Sequence, residues 1–401
     1  MQTHLADFAR DTNDGREADA ILRKCVHCGF CLATCPTYQL LGNELDSPRG
    51  RIYLIKQVLE GRTPTEKTQL HLDRCLTCRS CETTCPSGVE YGHLADIGRR
   101  IVEEKTSRPL PDRLMRRALR FLIPFRARFG ALLRLGQLVR PILPGVLKQQ
   151  IPPRAAARPW PQSEHSRTML ALEGCVQPTL APNTNAAAAR VLDRLGIRLV
   201  AAGGGCCGAV SYHLSATDEA LDFMRRNIDA WWPHIEAGAE AIVTTASGCG
   251  VMVKDYGHVL RYDPRYADKA AQVSRLARDI SEVVAEEDLT KLAPRSWRPR
   301  VAFHPPCTLQ HGLKIRGVVE GILKDAGFEL TVVPDAHLCC GSAGTYSILQ
   351  PNLGNRLKRN KLAALERGDP QLIATANIGC QTHLQSGTGL PVKHWIELLD
   401  T

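Results

Sequence analysis

The chain carries one cysteine spacing twice, first as Cys25-Val26-His27-Cys28-Gly29-Phe30-Cys31-Leu32-Ala33-Thr34-Cys35-Pro36 and again as Cys75-Leu76-Thr77-Cys78-Arg79-Ser80-Cys81-Glu82-Thr83-Thr84-Cys85-Pro86. Both read C-x2-C-x2-C-x3-C-P, a spacing of bacterial [4Fe–4S] ligation. Three close thiolates wrap three corners of a cubane through one tight loop. The fourth, followed by proline, leaves the loop, and in paired sites it ligates the other cluster. The pattern assigns Cys25, Cys28, Cys31 and Cys85 to one [4Fe–4S] cluster, and Cys75, Cys78, Cys81 and Cys35 to a second. Zinc would need four ligands in one tetrahedron and no repeated triplet. His27 and His71 read as polar neighbours or donors to cluster sulfur, not iron ligands. Arg79, inside the second triplet, is expected to raise the potential of that cluster.

The separation of the blocks is too long for a compact two-cluster ferredoxin. Ser47-Pro48 supplies a capping hydroxyl and a proline at the first helical position. Ile52, Ile55, Val58 and Leu59 then follow at helical spacing over 51–60, and Gly61 stops the run. Further helices are predicted over 66–73 and 91–104. Residues 1–107 are therefore expected to form a mostly helical ferredoxin domain.

The chain has 401 residues and sixteen cysteines, and none of the cysteines falls outside a patterned group. The eight beyond the blocks form two sets: Cys175, Cys206-Cys207-Gly208 and Cys249, then Cys307, Cys339-Cys340-Gly341 and Cys380. Matching cysteines are offset by 132, 133 and 131 residues, which points to a duplicated unit. Apolar runs precede Cys175, Cys249, Cys307 and Cys380. Helix-like runs cover 185–195 and 317–325, and short β-runs cover 197–200 and 328–333. This is β-loop-α repetition, with units expected at 167–290 and 298–401. Parallel sheets place such loops at strand C-termini, so the cysteines should converge at one end of each sheet. Adjacent cysteines in an extended chain point to opposite sides. Both can face one centre only if the backbone bends, which the following glycine permits. The other readings are separate tasks for each thiol, or buried structural thiols. All eight are candidates for an additional redox or cluster site, a third iron–sulfur centre. Gly203-Gly204-Gly205 lacks the spacing and the acidic residue of a nucleotide site.

Between the two parts, residues 108–158 hold eleven Arg and one Lys against the single acid Asp112, a net +11 against +10 for the whole chain. Arg113, Arg116, Arg117 and Arg120 share one helical face, while Leu114, Ala118, Phe121 and Leu122 lie largely on another. Three readings stand: a helical hairpin packed on both domains, a basic amphipathic element touching anionic lipid, or a dock for an acidic partner. Nucleic acid is not expected, since no helix-turn-helix, zinc finger or stacking platform is present. Residues 149–166 read as a Pro/Ala-rich linker, so the connector as a whole spans 108–166.

A hydrophobic fraction of 44% supplies cores without disulfide staples. Residues 1–23 have no apolar signal-peptide core, and no run approaches spanning length. The cysteines therefore read as metal or redox groups of a reducing, cytoplasmic compartment. With no P-loop, dinucleotide fingerprint or flavin site, neither flavin nor NAD is expected on this chain. Substrate oxidation is then expected on another subunit.

The chain resembles a family of iron–sulfur subunits of flavin-dependent oxidoreductases, with two ferredoxin motifs followed by two Cys-Cys-Gly domains. The resemblance rests on Cys28-Gly29-Phe30-Cys31 with Cys35-Pro36-Thr37-Tyr38, on Asp46-Ser47-Pro48-Arg49-Gly50-Arg51, on Gly205-Cys206-Cys207-Gly208-Ala209-Val210-Ser211-Tyr212-His213 and on His304-Pro305-Pro306-Cys307. It covers nearly the whole chain and is strongest toward the iron–sulfur subunits of glycolate oxidase (glycolate dehydrogenase). The implied fold is α/β overall, with a helical two-cluster ferredoxin domain before a duplicated α/β Cys-Cys-Gly pair. The implied function is electron transfer without catalytic residues on this chain. A flavin-containing catalytic subunit oxidises glycolate to glyoxylate, and electrons pass on toward a quinone-linked acceptor. A second flavin-subunit-like protein is a further implied partner, and the implied location is peripheral, at the inner face of the cytoplasmic membrane. The ferredoxin motifs fix chemistry but not substrate. An equivalent subunit for lactate or anaerobic glycerol-3-phosphate oxidation is the alternative, as is a thiol/disulfide reductase related to heterodisulfide reductase. That reductase ends each cysteine set in C-x2-C. Here Met252 and His383 take the last positions, which argues against heterodisulfide as substrate.

Overall fold

In the computed structural model, residues 1–144, 148, 151–292 and 298–400 are described. Residues 145–147 of the connector, 149 and 150 of the expected linker, and Thr401 lie outside the described residues.

Ser47 accepts a hydrogen bond from the Gly50 amide and, with Pro48 behind it, opens the helix Pro48–Leu59. Gly50 leaves no room for a side chain, because a Cβ there would lie 2.0 Å from Glu44 O. The helices Asn13–Lys24, Glu66–Asp73 and Tyr91–Lys105 pack around it. Their apolar stripes meet in a core of Leu22, Ile55, Leu59, Leu72 and Leu94, which also takes in Cys25 and Cys81. The two cysteine blocks are loops ending on this helical frame.

The connector forms the helices Leu110–Leu122 and Arg126–Val139. It bridges the flanking domains as a hairpin, and its arginines do not all face outward as the helical period implied. Arg108 and Arg116 pair with Asp73 at 2.6 and 3.1 Å, and Arg120 pairs with Glu219 at 2.8 Å. Acidic partners from both domains draw those cations inward, leaving Arg113 and Arg117 exposed. The outer surface is instead largely apolar: Leu114, Phe121, Leu132 and Leu135 are exposed, with Leu138 at 78% and Ile142 at 84%.

Among the described residues, eight strands make two sheets of four. The first contains β1 (Arg167–Ala171), β2 (Ile197–Val200), β3 (Ile242–Thr244) and β4 (Ala277–Asp279). The second contains β5 (Arg300–His304), β6 (Glu329–Leu330), β7 (Leu372–Thr375) and β8 (Val392–His394). All pairings are parallel, and the orders β2-β1-β3-β4 and β6-β5-β7-β8 are the same permutation. β6 is shorter than the predicted 328–333 run, since Val332 is 86% exposed and Pro334 ends pairing. Helices fall at Asn183–Arg194 and Val318–Asp325, close to their predicted places. One apolar core joins the sheets, running from Met169, Leu192 and Val243 to Phe303, Leu323 and Trp395.

Candidate iron–sulfur centres

Both ferredoxin loops use left-handed backbone at matching positions: His27 (φ 56°) and Gly29 (φ 85°) in the first, Thr77 (φ 52°) and Arg79 (φ 57°) in the second. Such conformations cost on the order of 1 kcal/mol or more for a non-glycine residue and cluster at functional sites. They curl each loop around its cysteines. Cys25, Cys28, Cys31, Cys81 and Cys85 line one shared cavity with Arg49, Ile52 and Tyr91. Burial pushes the Cys31 thiol up to about 11.

The charge of Cys35 is felt at Cys78 and Cys81 of the second triplet, and at Cys31 of the first as well. Burial raises Cys78 and Cys81 well above the ordinary thiol value, and the charges of Cys35 and Cys75 add to it. Cys75 runs the other way. Burial opposes its ionisation, but Arg51 and Arg99 lower it, helped by the Thr77 amide at 3.4 Å. Arg51 is 1% exposed and donates to His71 O at 2.7 Å and Thr37 Oγ1 at 3.1 Å. Asp46, also buried, meets His71 Nδ1 at 2.9 Å and Arg74 at 3.0 Å. Of these cations only Arg51 was named from the sequence, as a letter of a motif. Their fixed charge beside Cys75 became legible only once the helices brought them there.

Arg79, expected to raise the potential of the second cluster, also ties its loop to the first Cys-rich unit: its Nη2 donates to Asp255 Oδ2 at 2.6 Å. His71 behaves as the sequence implied, bonding a carboxylate and not taking a ligand position.

In the duplicated units the cysteines do converge at the C-terminal ends of the strands. Cys175 follows β1, Cys206-Cys207 follow β2, and Cys249 opens the helix Ser247–Lys254 after β3. Their side chains touch in series, Cys175 to Cys206, Cys206 to Cys207, and Cys207 to Cys249. The second unit repeats this from Cys307 through Cys339 and Cys340 to Cys380, with the Cys307 and Cys339 sulfurs 3.7 Å apart. The bend comes from the glycine, as Gly208 and Gly341 have φ of 91° and 89°. Gly208 and Gly341 amides donate back to Cys206 and Cys339 sulfur at 3.5 and 3.4 Å. The run Gly203-Gly204-Gly205 lies against Asn227, whose Oδ1 accepts from the Gly205 amide at 2.9 Å. Met252 packs in the apolar core, and His383 Nε2 faces Gly354 O at 3.3 Å.

The two units differ in what they adjoin. Cys307 and Cys339 share a buried cluster with Leu76, Tyr346, Leu353 and the edge of Cys78. Thr83 Oγ1 meets His311 Nδ1 at 2.8 Å, and Tyr346 donates to Arg74 O at 3.2 Å across the same seam. Cys175 and Cys206 instead pack with Phe223 against Ile123 and Phe125 of the connector.

One group was missed. His304, the last residue of β5, is 0% exposed, and neither ring nitrogen has a hydrogen-bond partner among the described residues. An unpaired buried polar group costs roughly 1–3 kcal/mol. The sequence showed it only as the start of a His-Pro-Pro turn.

A helical two-block cysteine domain joined to twin parallel sheets with four convergent cysteines each defines an iron–sulfur electron-transfer protein. A family model described as a 4Fe-4S dicluster domain matches residues 21–89, and one described as a cysteine-rich domain matches 169–254 and 301–385. The chain is 60% identical to the "Glycolate oxidase iron-sulfur subunit" of Escherichia coli (strain K12), over 100% of this chain and 98% of that one. It is 31% identical to the "Probable glycolate oxidase iron-sulfur subunit" of Bacillus subtilis (strain 168), covering 91% and 89%. It is also 26% identical to "Lactate utilization protein A" of Bacillus velezensis, over 57% of this chain and 96% of that one. The chain belongs to the glycolate oxidase iron–sulfur subunit family, and it is an electron-transfer subunit of an enzyme complex.

Proposed function

We propose that this chain carries electrons from a flavin-bearing partner that oxidises glycolate to glyoxylate toward a quinone-linked acceptor. The observation that carries the reading is 60% identity over the full chain to a protein of that name. The Bacillus lactate-utilisation likeness covers only 57% of the chain and favours the lactate alternative less.

Within this reading, Cys25, Cys28, Cys31 and Cys85 hold one [4Fe–4S] cluster, and Cys75, Cys78, Cys81 and Cys35 the other. Four of the five cysteines that line one cavity are the first set, and the charges of Cys35 and Cys75 are felt at Cys78 and Cys81; both observations support that division. When bound, such clusters accept and release single electrons. The chain itself supplies thiolates, loops that curl around them, and the buried cations Arg51 and Arg99. Helix and core exclude water from Cys25 and Cys81. Residues 1–107 form the electron-transfer domain, 108–166 the connector, and 167–290 and 298–401 the Cys-rich pair. The exposed apolar face of the connector, rimmed by Arg113 and Arg117, is the surface turned to the membrane side of the complex. Among the described residues no helix is long and apolar enough to cross a membrane.

Anaerobic purification of the tagged chain with its partners tests this. A co-purifying flavoprotein that reduces the chain with glycolate, and iron of about eight atoms or more per chain, support it. Reduction by lactate but not glycolate overturns the substrate. Iron near four atoms overturns the two-cluster assignment.

A further inference from the structure

Among the described residues, His304 is the histidine with both ring nitrogens buried and unpartnered; His27 and His93 each leave only Nε2 so. His394 is as deeply buried as His304, yet its Nε2 meets Thr245 O at 2.7 Å and its Nδ1 accepts from the Ile396 amide at 3.2 Å. His311 has Thr83 on one nitrogen and His337 O on the other. His304 has neither, although native folds pair almost every buried polar group. A His304 ring nitrogen and the Cys340 and Cys380 sulfurs all lie within 4.8 Å of one another. One ion at bond lengths of about 2.0–2.3 Å needs its donors within about 4.3–4.6 Å of each other, so the three groups need draw together only slightly, if at all, to share it.

The first unit is an internal control. Cys307 corresponds to Cys175, so His304 corresponds to Leu172, three positions earlier in each case. The four cysteines are retained and the imidazole is not. The second unit also buries Lys361, whose Nζ donates to Asp335 O at 2.8 Å and whose charge is felt at Cys339 and Cys340. A buried cation there offsets thiolates gathered on a metal.

We propose that the second Cys-rich unit binds a thiophilic metal, iron of an iron–sulfur centre or zinc, with His304 as a ligand beside Cys340 and Cys380, and that the first unit has no such histidine-ligated centre. The proposal deepens the reading above, since it places the additional centre in the unit that abuts Cys78 and adds a nitrogen donor to it.

The test is iron, zinc and sulfide content of the full-length chain purified anaerobically with its partners. His304→Leu, which installs the residue of the first unit, is expected to lose one centre: about one zinc, or the iron in excess of about eight. His304→Cys supplies a replacement thiolate and is expected to keep the metal. Zinc X-ray absorption, or ¹⁵N-histidine electron–nuclear double resonance for iron, is expected to show a bound imidazole in wild type that His304→Cys lacks. Unchanged metal content in a folded His304→Leu chain overturns the proposal, as does a wild type without any metal-bound imidazole nitrogen. The signals of the N-terminal clusters are the separate check. If they are missing in wild type, the two-cluster reading fails; if they persist while His304→Leu changes nothing, only the present proposal fails.

Discussion

Arg79 Nη2 and Asp255 Oδ2 are 2.6 Å apart across 176 positions of sequence. The pair locks a left-handed residue of the second cysteine loop onto the first Cys-rich unit, and His93 leans on the same carboxylate at 3.9 Å.

Burial opposes the charge on Asp255, but His93 close by and the Arg79 guanidinium bonded to it hold it at about 2, against an ordinary 3.8. A carboxylate depressed in the folded state stabilises fully above its unfolded value and loses that contribution as pH falls through the folded one. The shift corresponds to about 2 kcal/mol. Asp255→Asn is expected to lose about that much at pH 7, measured by denaturant unfolding, and the deficit to shrink as pH falls from about 4 toward about 2. A deficit independent of pH over that window would refute the linkage.

Arg51 should set the potential of the second cluster. Arg51 lowers the Cys75 thiol electrostatically, and at an effective dielectric near 20 a unit charge at about 9 Å would be worth about 2 kcal/mol, on the order of 90 mV for one electron. Arg51→Gln is expected to lower that cluster's midpoint by tens of millivolts in a redox titration followed by EPR. The first cluster should move far less. Equal shifts at both clusters would place the effect elsewhere.

Cys85→Ser is expected to damage the cluster of Cys25, Cys28 and Cys31 before that of its own block, because the proline-flanked fourth ligand crosses over. Cluster-resolved EPR reads this directly. Selective loss at Cys75, Cys78 and Cys81 would show uncrossed ligation.

Binding to anionic vesicles should depend on the apolar face of the connector more than on its arginines. Of the four arginines that line up on the first helix's period, Arg113 and Arg117 are exposed, while Arg116 and Arg120 are paired with acids of the flanking domains. Leu132, Leu135 and Leu138 all changed to Ser are expected to reduce co-sedimentation at least tenfold, about 1.4 kcal/mol or more. Arg113→Gln with Arg117→Gln should steepen no salt dependence but flatten it, each cation near the surface being worth about 1 kcal/mol. Unaltered sedimentation of the leucine variant would reassign that face to a protein partner.

Gly50→Ala should destabilise the ferredoxin domain by about 1–3 kcal/mol, the cost of overpacking, since the new Cβ meets Glu44 O at 2.0 Å. Thermal unfolding of the domain's cluster absorption reads the change.

Local chemistry made much of this fold legible. Ser47, Pro48 and Gly61 bracket a helix that ends within two residues of its predicted place, because caps and stops act on neighbours in sequence. The duplication was legible because its cysteines sit on loops just after strands, where spacing is inherited with the fold. The pairing of Arg116 with Asp73 and of Arg120 with Glu219 was not, since helical period says which residues share a face and nothing about which domain supplies an acid to it. His304 was hidden for the same reason: only burial among distant elements leaves it without a partner. One signal was present, the change from Leu172 to His304 at matching positions of the repeat.

The seam over the second cysteine block has a consequence for how the chain is made. The block is complete at Cys85, yet Cys307, Cys339, Tyr346 and Leu353, which cover it beside Leu76 and Cys78, belong to the far end of the chain. At about 5–20 residues per second, translation leaves that face bare for on the order of tens of seconds. During that interval the nascent thiols of the second block meet dissolved oxygen and cluster-delivery proteins alike, until the last repeat leaves the ribosome and closes over them.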